Sequence, residues 1–312
     1  MKKFKVKVPA TTANLGPGFD CLGLALQMYN EFAFEQSEKF EFVNFQDKYA
    51  NENNLVVKSA KHVYQSKKVP VIPFKVKIKE GVPTSRGLGS SATCVVAGVL
   101  AANYFMESNL TEKEIIQYCT ELEGHPDNIA PAIMGSLVSS VVSDEIICVK
   151  HDISPELFFV VAVPDFTLST KQARGALPKK LSYSKAIHNM ARAINIPHAL
   201  ATGNLDMLFT LLDDKMHEPF RMPLIEDSVK FKNFSLRTRT PFCISGSGST
   251  LLFITKEPDL LIKELKRVPV IKTWRFTALV PDTTGAVTKE IKRWKMIILS
   301  FINRFFLSII TK

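Results

Sequence analysis

The sequence predicts an α+β protein, and three features carry that expectation. Residues 74–79 (FKVKIK) alternate apolar and charged side chains as a half-buried strand does. Residues 92–105 (ATCVVAGVLAANYF) form an apolar stretch of helical length. Strand-like and helix-like segments then mix along the chain without the strict βαβ repeat of a doubly wound sheet. With 312 residues and 46% apolar content, the chain suffices for one large or two moderate domains with a sizeable core.

Taken in order, the start MKKFKVKVPA alternates Lys with apolar residues and lacks the continuous apolar run of a secretory signal, so residues 4–8 read as a strand. Residues 31–45 alternate in the same way. Thr111 followed by Glu114 is a capping box and predicts a helix running to about Glu123. The stretch 157–163 (LFFVVAV) reads as a buried strand, and helices are expected over 182–195 and 204–214. Residues 242–254 (FCISGSGSTLLFI) predict two strands hinged on a glycine turn, followed by a helix at 257–267 and a last strand near 274–280. A domain boundary is expected near 150–157.

A formal charge of +10 admits nucleic acid, an anionic membrane or a small polyanion as partner, and charge by itself does not choose. Its distribution is more informative. Between Lys289 and Lys312 stand six Lys/Arg against one acid, Glu290, so half of the net charge sits in a short tail. The remainder is mildly basic, which suits an enzyme handling phosphates and argues against a nucleic-acid binder. Cys21, Cys94, Cys119, Cys148 and Cys243 stand singly, with no CxxC pair and no Cys/His spacing suited to zinc, which predicts free thiols in a reducing compartment, the cytoplasm.

The sharpest local feature is Pro83-Thr84-Ser85-Arg86-Gly87-Leu88-Gly89-Ser90-Ser91-Ala92, between the 74–79 strand and the apolar helix. Such a loop can cradle phosphate: glycines let backbone N–H groups approach, a helix N-terminus offers unpaired donors, and serines add hydroxyls for phosphate or magnesium. A Walker A loop is excluded, because it needs a Gly-Lys dipeptide and the chain has none. The stretch from Gly87 to Ala92 also matches the GxGxxA dinucleotide fingerprint, with Glu107 twenty residues beyond Gly87. Context opposes that reading, since seven residues separate strand from first glycine and Glu107 falls in a polar turn. A loop whose glycines merely turn the chain into a helix is the plainest alternative.

Three motifs in order decide among these. Pro83 to Thr93 resembles the PxxxGLGSSA phosphate loop of the galactokinase, homoserine kinase, mevalonate kinase and phosphomevalonate kinase (GHMP) superfamily. Val8-Pro9-Ala10-Thr11-Thr12-Ala13-Asn14-Leu15-Gly16-Pro17-Gly18-Phe19-Asp20-Cys21-Leu22-Gly23 is similar to the first motif as homoserine kinases have it. Ser245-Gly246-Ser247-Gly248-Ser249-Thr250 is similar to the glycine-rich third motif, with Ser249 where proline is frequent. The resemblance runs from about Lys3 to Val287. It implies a two-domain GHMP kinase fold: an N-terminal ATP-binding domain over 1–155, a C-terminal ferredoxin-like α/β sandwich domain over 156–288 completing the substrate site, and an extension over 289–312.

The resemblance also implies ATP and Mg2+ as cofactors and L-homoserine as phosphate acceptor. It places ATP against Pro83, Thr84, Ser85, Arg86, Gly87, Leu88, Gly89, Ser90, Ser91, Ala92, Thr93, Gly246, Ser247 and Gly248, with Asn54 near the adenine. Magnesium falls to Glu123 with Ser90 or Ser91. A zwitterionic acceptor needs an anion for its ammonium and cations for its carboxylate. Asn14 and Asp20 match positions holding the hydroxyl end and the amino group, while Arg174, just after Thr170, and Arg221 resemble the pair gripping the carboxylate. In Glu121-Leu122-Glu123-Gly124-His125-Pro126-Asp127-Asn128, His125 becomes a substrate contact, and Asn128 stands where several relatives carry a catalytic aspartate. An amide does not accept a proton as a carboxylate does, so the expected chemistry is in-line transfer without a dedicated base.

Two other functions compete: a superfamily kinase acting on a sugar, shikimate or a mevalonate-like acceptor, and a non-catalytic nucleotide-binding relative. Arg174, Arg221 and the 125–128 segment argue against the first; Ser90, Ser91 and Glu123 argue against the second. The family's frequent homodimers make a second copy of the chain an expected partner. The extension is basic, then apolar, but the fifteen residues from Met296 to Ile310 contain Asn303 and Arg304. That is too short and too polar for a membrane span of about 20 residues, so stable insertion is not expected.

Overall fold

The computed structural model describes residues 2–291. The extension beyond Ile291, with the expectations attached to it, lies outside the described residues. The first half runs β1 (Lys3–Ala13), β2 (Leu22–Gln36), β3 (Glu41–Val43), α1 (Leu55–Ser66), β4 (Phe74–Lys79), α2 (Ser90–Met106), α3 (Glu112–Glu123), α4 (Pro126–Met134), β5 (Leu137–Val142) and β6 (Ile146–His151). Next come β7 (Phe158–Pro164) and the helices α5 (Thr170–Gly175), α6 (Tyr183–Ala193), α7 (Ile196–Thr202), α8 (Leu205–Leu211), α9 (Glu218–Arg221) and α10 (Ser228–Thr238). The chain closes with β8 (Phe242–Ile244), β9 (Leu251–Thr255), α11 (Pro258–Leu265), β10 (Trp274–Leu279) and β11 (Val287–Glu290).

The first sheet has the order β11-β1-β2-β4-β3, with β5 added to β2 and β6 to β5. Strand β4 forms as its alternation predicts, burying Phe74, Val76 and Ile78 and turning its lysines outward. On its buried face Phe4, Phe32, Phe34 and Phe74 meet Val95, Val96 and Val99 of α2. Each fully buried Phe contributes about 1.5–3 kcal/mol of apolar transfer energy to holding helix on sheet. Helix α2 is apolar nearly all round because α1, α3 and α4 surround its remaining faces. The capping box is present: Thr111 accepts from the Glu114 amide, and Glu114 accepts from the Thr111 amide at 2.9 Å.

The second sheet has the order β10-β7-β9-β8, all antiparallel. Counted by its own strands this is 4-1-3-2, the ferredoxin-like arrangement the resemblance implies. Val160, Ala162 and Phe253 face α10 and α11, whereas Phe159, Val161 and Leu252 face a cluster that includes Ala10, Leu24 and Leu26 of the first sheet. Burial on both faces explains why 157–163 reads as continuously apolar rather than alternating. That second cluster unites the halves over one shared core.

One expected boundary is corrected. The last described strand is β11, not the strand at 274–279, and it pairs antiparallel with β1 from Phe4↔Glu290 to Lys7↔Val287. Lys289 and Glu290, expected in the extension, therefore belong to the first sheet. Asp282 secures this return: it accepts from the amides of Thr284 and Gly285 and from the Tyr29 hydroxyl.

Candidate active site

Three connections meet at one cleft of about 760 Å³: residues 14–21 between β1 and β2, the glycine loop between β4 and α2, and the glycine turn between β8 and β9. The glycine loop ends at Gly89, which adopts φ +69° and caps α2 without a side-chain acceptor, so the first amides of α2 face the cleft. A Cβ on Gly89 would lie 2.0 Å from the Thr11 hydroxyl oxygen, and one on Gly87 2.3 Å from the Ser245 carbonyl oxygen. Only glycine fits at either position. Arg86 staples the loop to the other half, its Nε donating to the Pro164 carbonyl at 3.0 Å and its Nη2 to the Asp165 carbonyl at 2.9 Å. The Ser245 hydroxyl donates to the Gly87 carbonyl at 2.6 Å, completing the lock.

Thr84, Ser85, Arg86, Gly87, Gly89, Ser90, Ser91, Gly246 and Ser247 line the cleft. Pro83, Leu88, Ala92, Thr93 and Gly248, expected beside them, do not line it. Leu88 and Ala92 are core residues, and the Thr93 hydroxyl is taken by Asn30 and by the Ser90 carbonyl. Asn54 reaches the cleft wall beside Phe45, Tyr49 and Ile78, but its amide is committed: it caps α1 through Val56 N and donates to the Tyr49 carbonyl. The apolar wall is the better surface for a flat heterocycle, and Asn54 holds it in shape.

Ser91, not Ser90, pairs with Glu123, its hydroxyl donating at 3.0 Å. Burial pushes the Glu123 carboxyl up, with the Ser91 hydrogen bond opposing that shift. A carboxylate and a hydroxyl projecting into a cleft beside free helix amides form an oxygen donor set that fits Mg2+, which takes one or two protein ligands and completes its shell with water and phosphate.

At the far end, Asp20 (φ +58°) and Arg174 of α5 form a two-point ion pair, 2.8 Å from Nη2 to Oδ1 and 3.1 Å from Nη1 to Oδ2. His125 Nδ1 lies 3.8 Å from Asp20 Oδ2. Arg221 is 1% exposed and donates to the carbonyls of Gly246 at 3.1 Å and Ala173 at 3.4 Å. Burial and, less, the neighbouring Arg174 charge lower its pKa to about 10, so it stays cationic at neutral pH. Both guanidiniums lie over the Phe19 ring, Arg174 at 5.5 Å and Arg221 at 5.1 Å from its centre.

Asn14, expected at the hydroxyl end of the acceptor, borders the cleft and also ties its walls together. It is buried, donates to the Gly246 carbonyl at 2.7 Å and accepts from the Asp20 amide at 3.0 Å. Asn128 lines the cleft, accepting from the Thr11 hydroxyl at 2.7 Å and donating to Asp127 at 3.2 Å. The Thr170 hydroxyl lies 3.4 Å from that of Ser247. Two contributors escaped the sequence reading: Thr11 and Phe19. Burial, reinforced by the Asp20 charge and partly offset by Arg174, raises the Asp127 pKa to about 7. For Thr11 and Phe19 the signal was position alone, within the first quoted motif.

The family of GHMP kinases N terminal domains matches residues 54–136, the span from the α1 cap through the glycine loop to the end of α4. A homoserine kinase of Clostridium botulinum (Type A) is 38% identical over 295 residues, covering 92% of this chain and 99% of that protein. A homoserine kinase of Moorella thermoacetica is 39% identical over 253 residues, 79% of this chain and 86% of its own. A crystal structure of homoserine kinase from Cytophaga hutchinsonii superposes with a TM-score of 0.81 at 24% identity, covering 92% of this chain and 98% of that one. The chain belongs to the homoserine kinase family of GHMP kinases. Kinases of this class take their phosphoryl group from ATP.

Proposed function

We propose that this chain transfers the γ-phosphoryl group of ATP to the side-chain hydroxyl of L-homoserine, giving O-phospho-L-homoserine for threonine biosynthesis in the cytoplasm. The observation that carries this reading is the composition of the cleft: a glycine loop and helix N-terminus at one end, the Asp20 and Asp127 carboxylates and two guanidiniums at the other. The adenine lies against Phe45, Tyr49 and Ile78, and the triphosphate lies along residues 84–91 with its charge over the α2 N-terminus. Ser91 and Glu123 would hold Mg2+, which would supply neutralisation of charge on the transferring phosphate. The ammonium of homoserine meets Asp20, with His125 beside it, and its carboxylate meets Arg174 and Arg221. Its hydroxyl then points toward Asn128 and Thr11, whose mutual hydrogen bond orients both. Phosphoryl transfer through a loose transition state depends mainly on such positioning and charge stabilisation, so no dedicated base is required.

A second reading of the proton step is favoured by the place of Asp127, which borders the cleft in contact with Asn128 and whose carboxyl pKa is pushed up by burial to about 7. A carboxyl titrating there beside Asn128 is poised to take the hydroxyl proton. Asp127→Asn separates the two: positioning alone predicts a kcat loss below about tenfold, whereas loss of a general base costs about 10²–10⁴. The function itself is tested by ADP release from magnesium-ATP with L-homoserine, L-threonine, L-serine, mevalonate, shikimate and galactose. Strong preference for L-homoserine supports the proposal. Turnover with another acceptor moves the chain elsewhere among the small-molecule kinases, and ATP binding without turnover would favour a non-catalytic relative.

A further inference from the structure

The two arginines proposed to grip the acceptor carboxylate are held in opposite ways. Arg221 is buried and anchored to main-chain carbonyls, so it keeps its place whether or not a ligand is present. The side chain of Arg174 is 35% exposed and, among the described residues, its hydrogen bonds go only to Asp20. Asp20 in turn spends its carboxylate on Arg174, with His125 Nδ1 at 3.8 Å as the other nearby nitrogen. The anion assigned to the ligand's ammonium and a cation assigned to its carboxylate thus neutralise each other across 154 residues of chain.

We propose that the Asp20–Arg174 pair stands in for the ligand's own charges and opens only for a molecule carrying both, so that it selects α-amino acids over alcohols with a single charge. The inference rests on the substrate reading above and adds to it how discrimination arises. A ligand bearing only a carboxylate must take Arg174 from Asp20, leaving that carboxylate unpaired in a mostly buried position next to Asp127. One bearing only an ammonium must take Asp20, leaving Arg174 uncompensated beside Arg221. A zwitterion replaces one ion pair with two and strands neither charge. Partnered hydrogen bonds to charged groups are strong and their loss is costly, so each singly charged ligand bears a penalty of roughly ten- to a hundredfold beyond its missing contact.

This exchange predicts gains as well as losses. Ligand-detected NMR titration of the full chain would compare L-homoserine with 4-hydroxybutanoate, which lacks the ammonium, and 3-aminopropan-1-ol, which lacks the carboxylate. Asp20→Asn frees Arg174, so it should weaken L-homoserine yet tighten 4-hydroxybutanoate about tenfold. Arg174→Gln should likewise tighten 3-aminopropan-1-ol. In the Asp20→Asn, Arg174→Gln double variant the gain for 4-hydroxybutanoate should vanish. Retained ATP binding shows that each variant is folded. No gain in either single variant would overturn the exchange. So would an equal gain when Asp20→Asn is made on the Arg174→Gln background, because simple relief of repulsion would then account for it. Failure of the native chain to bind L-homoserine would instead overturn the substrate reading, which keeps the two failures distinct.

Discussion

At the proposed nucleotide end of the cleft the groups on offer are backbone amides fixed by close packing, whereas at the proposed acceptor end they are side-chain charges with unequal support. Gly87 and Gly89 have no room for a methyl group, and Arg86 ties their loop to the second half by carbonyls. Arg221 shares that rigidity, but Arg174 and Asp20 have chiefly each other. The contrast follows from the ligands. A triphosphate is the same in every turnover and rewards preorganised donors, while discrimination among small alcohols requires groups that respond to what arrives.

The largest expected effect tests whether the proposed nucleotide end needs Glu123, the proposed metal ligand. Glu123→Gln should lower kcat about a thousandfold at fixed magnesium, with ATP affinity measured without metal little changed, since several kcal/mol of charge stabilisation are lost. Next, Gly89→Ala should reduce kcat/KM for ATP about a hundredfold, because displacing the α2 N-terminus by an ångström misaligns the phosphate, while L-homoserine binding without nucleotide stays within about twofold. An equal loss for both ligands would break the division into two ends. Arg221→Lys should raise KM for L-homoserine more than Arg174→Lys, by about thirtyfold against about fivefold. A buried fork bound to two carbonyls tolerates lysine worse than a half-exposed one.

The smallest effect concerns stability. Burial raises the Glu218 pKa from its ordinary 4.5 to about 8, against the opposing hydrogen bond from the Ile244 amide. The folded chain therefore holds this proton where the unfolded chain has released it. Its stabilising contribution is complete below about pH 4.5 and is lost as pH rises through about 8. Glu218→Gln should flatten the decline in Tm between those values by a few degrees, measured by thermal unfolding across the range.

Much of the fold was legible because its signals are local. FKVKIK gave β4, the Thr111/Glu114 box gave the start of α3, and FCISGSGSTLLFI gave β8, the turn and β9. Strands β5 and β6 were not read, since Val141, Val142, Ile147 and Val149 leave their outward face apolar and hide the alternation. Strand β11 is a short polar segment that exists by pairing with β1, a contact no local pattern encodes. The candidate site was legible to a similar degree. Its glycines and charged residues stood out by type, but the division of labour between Asn14 and Asn128 did not. Two asparagines look alike in sequence, both border the cleft, and only long-range partners, Gly246 for one and Thr11 for the other, tell them apart.

The Gly246 carbonyl accepts from both Asn14 and Arg221, while its amide donates to Ala13 and the residue itself borders the space beside Ser247 and the glycine loop. One residue thus touches the support of both proposed ligand positions. Thermodynamic linkage gives this a definite form: whatever factor nucleotide occupancy changes acceptor affinity by, acceptor occupancy must change nucleotide affinity by the same factor. In the proposed binding mode Gly246 offers that reciprocity a short physical route, since its single carbonyl oxygen is shared by Asn14 and by the Arg221 guanidinium.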